Sequence, residues 1–295
     1  MCRPGERGVA LVAAVGALAL LSVLAVSLAS TSIVDQHLAR NALSALQADA
    51  LARSGVAVAA TLLRETGTAD APDTLRSPWA APSGRQPLGA GWVEVRIEDE
   101  ARRLDLNASE MADAVPRLLE ALGLDRRLAD VIADWQDADG VPRPAGAERD
   151  WYLGLSPPYL PADGPLRSVG ELGLIRGIDA RVLARLRPFV TVAGEHGVNP
   201  NTAPREVLLA VVQDAPAVER LLAARDRAPI APADLPALLP DLPAARARLT
   251  PHAQHYTVRA LAGVGEIRRA VEATLWAPAG AEPAVVAWRG VVPEL

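Results

Sequence analysis

Cysteine is nearly missing from this 295-residue chain. Cys2 is the only one, so no disulfide can form within the chain and no C-x-x-C redox or zinc motif exists. Cys2 precedes the first apolar run, whereas a lipid-bearing cysteine would follow it. Lysine is absent altogether. All 30 basic residues are arginine, which beside abundant Ala and Pro reflects a GC-rich coding sequence rather than a function. Basic charge is in deficit as well: the formal net charge of −5 argues against a general nucleic-acid binder, which needs a basic face. The four histidines, His37, His196, His252 and His255, are scattered and read as surface residues. No G-x-S-x-G, no P-loop and no nucleophile with its base can be found, so catalysis is not expected. The length fits one large or two modest domains.

What the chain does have is a long apolar start. Residues 7–28 read RGVALVAAVGALALLSVLAVSL, and no charge occurs between Val9 and Val34. A membrane span needs roughly 20 apolar residues, whereas the core of a cleavable signal needs roughly 7–15. Arg3 and Arg7 lie before the run and Asp35 is the first acid after it, which predicts a cytoplasmic N-terminus with the remainder exported. The competing reading is a secretory signal cut after Ser27-Leu28-Ala29, ahead of Ser30. Against it, the helical pattern does not stop. No proline occurs from Val9 to Leu63, and only Gly16 and Gly55 interrupt good helix formers. After Asp35 the pattern becomes amphipathic, with Leu38, Ala42, Ala45, Ala48, Ala52 and Val56 at helical spacing. The whole run predicts a helix of about 80 Å.

Residues 66–91 are crowded with Pro, Gly, Ser and Asp and read as a linker. Val93, Val95 and Ile97 then alternate with polar partners as in a strand, and a short second strand is expected around residues 102–106. Residues 109–251 read as short helices divided by Pro and Gly. Strand alternation returns at 256–262, 267–276 and 285–289, with turns at 262–265 and 277–283. Strands on both sides of a helical block predict an α+β fold. Its parts are a long N-terminal helix, an antiparallel-sheet head begun in residues 35–107 and completed by 252–295, and a large inserted all-α domain over 108–251.

The most chemically loaded stretch is DWQDADGVPRPAGAERDWY, residues 134–152. Asp134, Asp137, Asp139, Glu148 and Asp150 crowd one loop, with Gly140 and Gly146 allowing sharp turns. Hard oxygen donors on a flexible loop suit Ca²⁺. The D-x-D-G core is shared with calcium loops, but EF-hand spacing is absent, and a solvated acidic turn with helix-capping Asp residues reads equally well. Trp135, Trp151 and Tyr152 are expected to pack beneath it. Downstream, RSVGELGLIRGIDARVLARLRPFVTV and GVNPNTAPREVLLAVV resemble helix-hairpin-helix units, whose Gly-apolar-Gly turn presents amides to a phosphate. Here the first turn is Gly177-Ile178-Asp179 and the second Gln213-Asp214-Ala215-Pro216. An acid replaces the second glycine, and Pro216 has no N–H. Hairpin geometry is therefore expected without phosphate binding, and Asn199 and Asn201 are expected to fix a loop.

The short basic leader ending at Gly8, followed at once by an apolar helix, resembles the type IV prepilin signal. That resemblance implies cleavage after Gly8 by prepilin peptidase, with Val9 as first mature residue and the helix retained. The family usually has Phe or Met there, and Glu at the fifth mature position. This chain has Val9 and Ala13. A lone charge at mid-membrane costs about 2.5–3.5 kcal/mol. In a fibre core that Glu is thought to neutralise a neighbour's N-terminal amine, so its absence suits a subunit at a fibre end. The ordered set of that leader, a strand into DLN, DW-x-D-x-D…GAE…Y, S-V-x-E-L…G and N-x-N-T-A-P-x-x-V-L covers essentially the whole chain. In that order it resembles the K-type minor pseudopilins of type II secretion systems. The resemblance implies a single-pass inner-membrane protein with a periplasmic head, processed and methylated. It also implies assembly with the I- and J-type minor pseudopilins and the major pseudopilin at the tip of a short fibre. Family members bind calcium in the head, which is carried here only to the acidic loop. No nucleic acid is expected. The alternatives are a membrane-anchored helix-hairpin-helix DNA-binding protein and a minor type IV pilin.

Overall fold

The computed structural model describes residues 4–67 and 71–291. The first three residues of the expected leader, three residues of the 66–91 segment and the last four of the chain lie outside the described residues. Helix α1 (Pro4–Thr66) runs unbroken for 63 residues, about 95 Å at 1.5 Å per residue. Its two halves face different surroundings. Leu11–Leu28 has a mean hydropathy of 2.6 and no part of it is buried, and it is long and apolar enough to cross a membrane. Farther along, Ala48, Ala52, Val56, Ala59 and Leu63 are buried at steps of three or four residues. Leu38 and Ala42, expected on the same stripe, remain exposed because α1 meets the rest of the head only from about Ala48 onward.

Among the described residues seven strands follow: β1 (Gln86–Leu88), β2 (Gly91–Asp99), β3 (Leu104–Asp105), β4 (Val190–Thr191), β5 (His255–Val264), β6 (Ile267–Trp276) and β7 (Ala284–Val291). Five form one antiparallel sheet in the order β1-β2-β5-β6-β7. The register sets Val93, Val95 and Ile97 opposite Ala262, Ala260 and Val258. Ala260 and Val258 in turn face Val271 and Ala273. Period-2 alternation thus places one apolar face against α1. Alanines on both sides let helix and sheet approach closely. Gly55 marks the tightest point: a Cβ there would sit 2.8 Å from Val93 Cγ2 and 3.0 Å from the Ala260 Cβ. A glycine that looks like a helix defect in sequence is a packing requirement in three dimensions.

The short strand expected near residues 102–106 exists but leaves this sheet. β3 pairs in parallel with β4 in a separate two-stranded ribbon. The supposed linker is more than a linker. It contributes edge strand β1, whose register comes from β2 rather than from any alternation of its own, and it buries Trp79 edge-on against Tyr256 at 5.3 Å.

Between β3 and β5 lies the helical block: α2 (Val115–Ala121), α3 (Leu128–Gln136), α4 (Arg149–Leu153), α5 (Ala180–Leu186), α6 (Arg205–Val212), α7 (Ala215–Arg227), α8 (Leu235–Leu238) and α9 (Pro243–Arg246). Its apolar residues from Leu104 to Leu249 form their own core, including Leu118, Tyr152, Leu208 and Leu221. The α1-and-sheet core, from Ala52 to Ala277, is a separate cluster. The chain crosses from one core to the other near residues 99–104 and returns near 249–255.

Candidate functional site: two acidic clusters

Two groups of carboxylates stand out. The first is the loop between α3 and α4. Helix α3 carries Asp134 on its buried side beside Trp135, both almost inaccessible. Trp135 and Trp151 pack edge-on to Tyr152 at 5.2 and 4.8 Å, an aromatic floor under the loop. Asp134 is already committed. It accepts from the Arg143 amide at 3.1 Å and from Arg143 Nη1 at 2.6 Å. A Cβ on Gly146 would overlap its Oδ2, so the turn glycine allows this contact. Arg143 also donates to Asp137 Oδ2, so one guanidinium bridges two carboxylates.

Asp137, Asp139 and Glu148 converge, each offering an oxygen within 4.8 Å of the others. Asp139 Oδ1 accepts from the Val141 amide at 2.8 Å, pinning the turn. Asp137 Oδ1 and Glu148 Oε1 are buried without a hydrogen-bond partner. Burial first, then the charges of Asp134, Asp137 and Asp139, push the Glu148 carboxyl above its usual range. Asp163, not singled out in the sequence, adds to that repulsion. Orphaned carboxylate oxygens crowded together are what a hard divalent cation would satisfy, so the donor set fits calcium. Of the five acids named from the sequence, the structure brings three together. Asp134 is set aside because Arg143 neutralises it. Asp150 is set aside because it points to solvent in the first turn of α4, outside the group.

The second cluster was not visible as a motif. It sits where the chain crosses between the two cores. Asp73 accepts from Trp79 Nε1 (3.0 Å), Tyr256 Oη (2.9 Å) and the Ala253 amide (2.9 Å). Asp99, at the end of β2, accepts from Asn199 Nδ2 (2.9 Å) and Thr202 Oγ1 (2.7 Å). Asp105 accepts from the Gly194 and Glu195 amides, and Glu195 from the Gln254 and His255 amides. Burial, with the Asp73 charge added, pushes the Asp99 carboxyl up to about 7 despite its two hydrogen bonds. Burial raises Asp73 and Asp105 as well. Asn199 fixes its loop, as expected: its Oδ1 accepts from the Asn201 amide, and Asn201 exchanges two hydrogen bonds with Ile230. The only sequence signal was the N-P-N-T-A run. Its acidic partner, Asp99, lies about 100 residues away and could not be paired with it by spacing.

The hairpin turns carry their own acids as caps. Asp179 accepts from the Val182 amide at the start of α5, and Asp214 from the Ala217 amide at the start of α7. The amides that a phosphate would use at these helix starts therefore already face a carboxylate. Two histidines depart from expectation, since His252 and His255 are both half-buried. His255 is not a surface residue: it is 13% exposed and its Nδ1 lies 3.4 Å from Glu195 Oε1, because it opens β5 at the crossing point. His196 and His37 are exposed as expected. Gly8 and Val9 lie within the backbone of α1, and Ala13 is exposed on its apolar half.

Comparison with known proteins agrees with this anatomy. A family described as "Type II secretion system (T2SS), protein K" matches residues 99–195, which include the acidic loop. The type II secretion system protein K of Klebsiella pneumoniae is 33% identical over 229 residues, 70% of each chain. That of Pseudomonas aeruginosa is 34% identical over 251 residues, covering 76% of this chain and 74% of the relative. In fold, the chain is similar to one in the crystal structure of the GspK-GspI-GspJ complex of the enterotoxigenic Escherichia coli type 2 secretion system. The TM-score is 0.72 at 19% identity, over 86% of this chain and 99% of that one. With relatives above 30% identity along more than two thirds of their length, the chain belongs to the type II secretion system protein K family.

Proposed function

We propose that this protein is a minor pseudopilin that caps the tip of the type II secretion fibre together with I- and J-type partners. The observation that carries this reading is the pairing of a 63-residue helix with a head of two cores. The bare apolar half of α1 can be held by a bilayer and then by neighbouring helices of a fibre. The α1-and-sheet half is a pilin-like unit. The helical block widens the head beyond what can repeat along a thin fibre, which favours an end position. The solved relative's assembly with GspI and GspJ supports the same partners here. Ala13 in place of a carboxylate supports the same position, since an end subunit has no neighbour's amine to neutralise.

On this reading the leader is removed after Gly8, the N-terminus faces the cytoplasm and the head the periplasm. The protein's work is assembly rather than catalysis. Asp137, Asp139 and Glu148 hold a calcium ion that ties the end of α3 to the start of α4. A bound cation would supply the positive charge that Arg143 gives to only part of the group. N-terminal sequencing from membranes, with and without active prepilin peptidase, tests the processing. A start at Val9 only with the peptidase supports a retained helix, and a start at Ser30 defeats it. Co-purification of the full chain with the I- and J-type subunits tests the position. Failure to form that complex would overturn the tip assignment.

A further inference from the structure

The sheet face turned away from α1 forms one wall of a groove of about 470 Å³, and the other wall is the helical block around α5 and β4. Six arginines and three glutamates line it, in a chain whose net charge is −5. The glutamates are already matched. Glu98 and Glu100 pair with Arg103, and Glu272 pairs with Arg259 at 3.1 Å. Arg96, Arg167, Arg187 and Arg289 have no carboxylate partner among the described residues. The sheet register sharpens this surplus. Arg96 of β2 stands directly opposite Arg259 of β5, which faces Glu272 of β6, which faces Arg289 of β7. Like charges directly opposite on neighbouring strands destabilise a sheet. The Arg96–Arg259 pair is therefore a local cost to folding that an anionic ligand would relieve, and Glu272 offsets it only on the far side of Arg259. Val169, Val192 and Val286 add apolar lining between the charges.

We propose that this groove receives an acidic, partly apolar segment of a partner protein. Arg96 and Arg289 bind its carboxylates from the sheet, Arg167 and Arg187 bind them from the helical block, and its apolar side chains lie on the valines. Guanidinium groups match carboxylates in planar, two-bond geometry. The matched glutamates between the arginines would repel a densely charged polyphosphate, whereas carboxylates spaced along a peptide can pass between them. The groove bridges the two cores, so an occupant would also tie the sheet to the helical block. The inference does not depend on where in a fibre the chain sits.

The test uses the full chain in detergent and a fluorescein-labelled 12-residue peptide alternating Glu and Val, read by anisotropy. The expected result is saturable binding that weakens as salt rises. The Arg96→Gln/Arg289→Gln double variant should bind at least tenfold more weakly. Arg268→Gln, an exposed arginine outside the groove, should leave binding unchanged, and a Lys-Val peptide should not bind. Because neither replaced arginine has an internal partner, the double variant should melt at the same temperature as the parent or higher. A lower melting temperature would mark a structural role and count against the proposal. Absence of binding by the Glu-Val peptide, or equal binding by the double variant, would overturn it. Displacement of the peptide by polyphosphate at lower concentration than by unlabelled peptide would also overturn it, by making the groove a phosphate site.

Discussion

The two acidic clusters use the same side chains and end in opposite conditions. At the crossing point, Asp73, Asp99, Asp105 and Glu195 are deeply buried, yet each accepts hydrogen bonds from amides, Tyr256, Trp79, Asn199 or Thr202. In the α3–α4 loop, Asp137, Asp139 and Glu148 are closer to water but poorer in donors, with two oxygens left without partners. The first cluster is finished by the protein's own chain except at Asp99 Oδ1, which is buried without a hydrogen-bond partner. The second is finished in part by Arg143 and otherwise invites a cation. The difference lies in donor supply rather than in the number of acids, since it decides how far the chain itself satisfies each carboxylate.

The comparison can be broken most severely at the crossing point. Asp73→Ala would strand the Trp79 and Tyr256 donors and the Ala253 amide, and is expected to cost about 3–5 kcal/mol of stability, read as a fall in the melting temperature. Should the variant melt like the parent, the crossing would not be held by this acid. The loop should behave oppositely. Adding Ca²⁺ at about a hundred times its dissociation constant should raise stability by about 2.7 kcal/mol. Glu148→Gln should remove that response while stabilising the calcium-free protein by lifting repulsion. A parent that neither gains with calcium nor loses with chelator would end the metal reading.

A smaller effect concerns pH. Burial raises Asp99 in the folded protein to about 7 from the ordinary value of 3.8 that it has in the unfolded chain. The folded state thus holds this proton more tightly than the unfolded chain, and the associated stability is complete below about pH 4 and lost as pH rises through about 7. Asp99→Asn should flatten this slope between those values in thermal melts. An unchanged slope would mean other groups set it. The smallest effect is expected for Asp150→Asn, which should leave the calcium response intact. Loss of the response would bring Asp150 back into the ligand set.

Much of the fold could be read from local pattern. The α1 apolar run, the period-2 alternation of Val93, Val95 and Ile97 and the strands after His255 are short-range signals that burial obeys. The misreadings share one cause. A short strand was expected around residues 102–106 with no partner named, and β3 pairs with β4, some 85 residues on. β1 has no pattern of its own and borrows its register. The acidic loop could be located by composition, but which three acids meet depended on Arg143 reaching Asp134 across nine residues. His255 read as a surface residue because Glu195 lies 60 positions away.

The sequence by itself determined the long helix, its membrane-length apolar half, the α+β class and the family, because these rest on periodicity and on ordered local motifs. Only the tertiary structure decided the rest: that Gly55 is a contact, that Asn199 of the helical block reaches the Asp73 carbonyl and the Asp99 carboxylate, that Asp137, Asp139 and Glu148 converge, and that arginines from three strands and from the helical block share a groove. Each of those depends on which distant residue supplies the missing donor, charge or surface, and that pairing is settled only when the chain closes on itself.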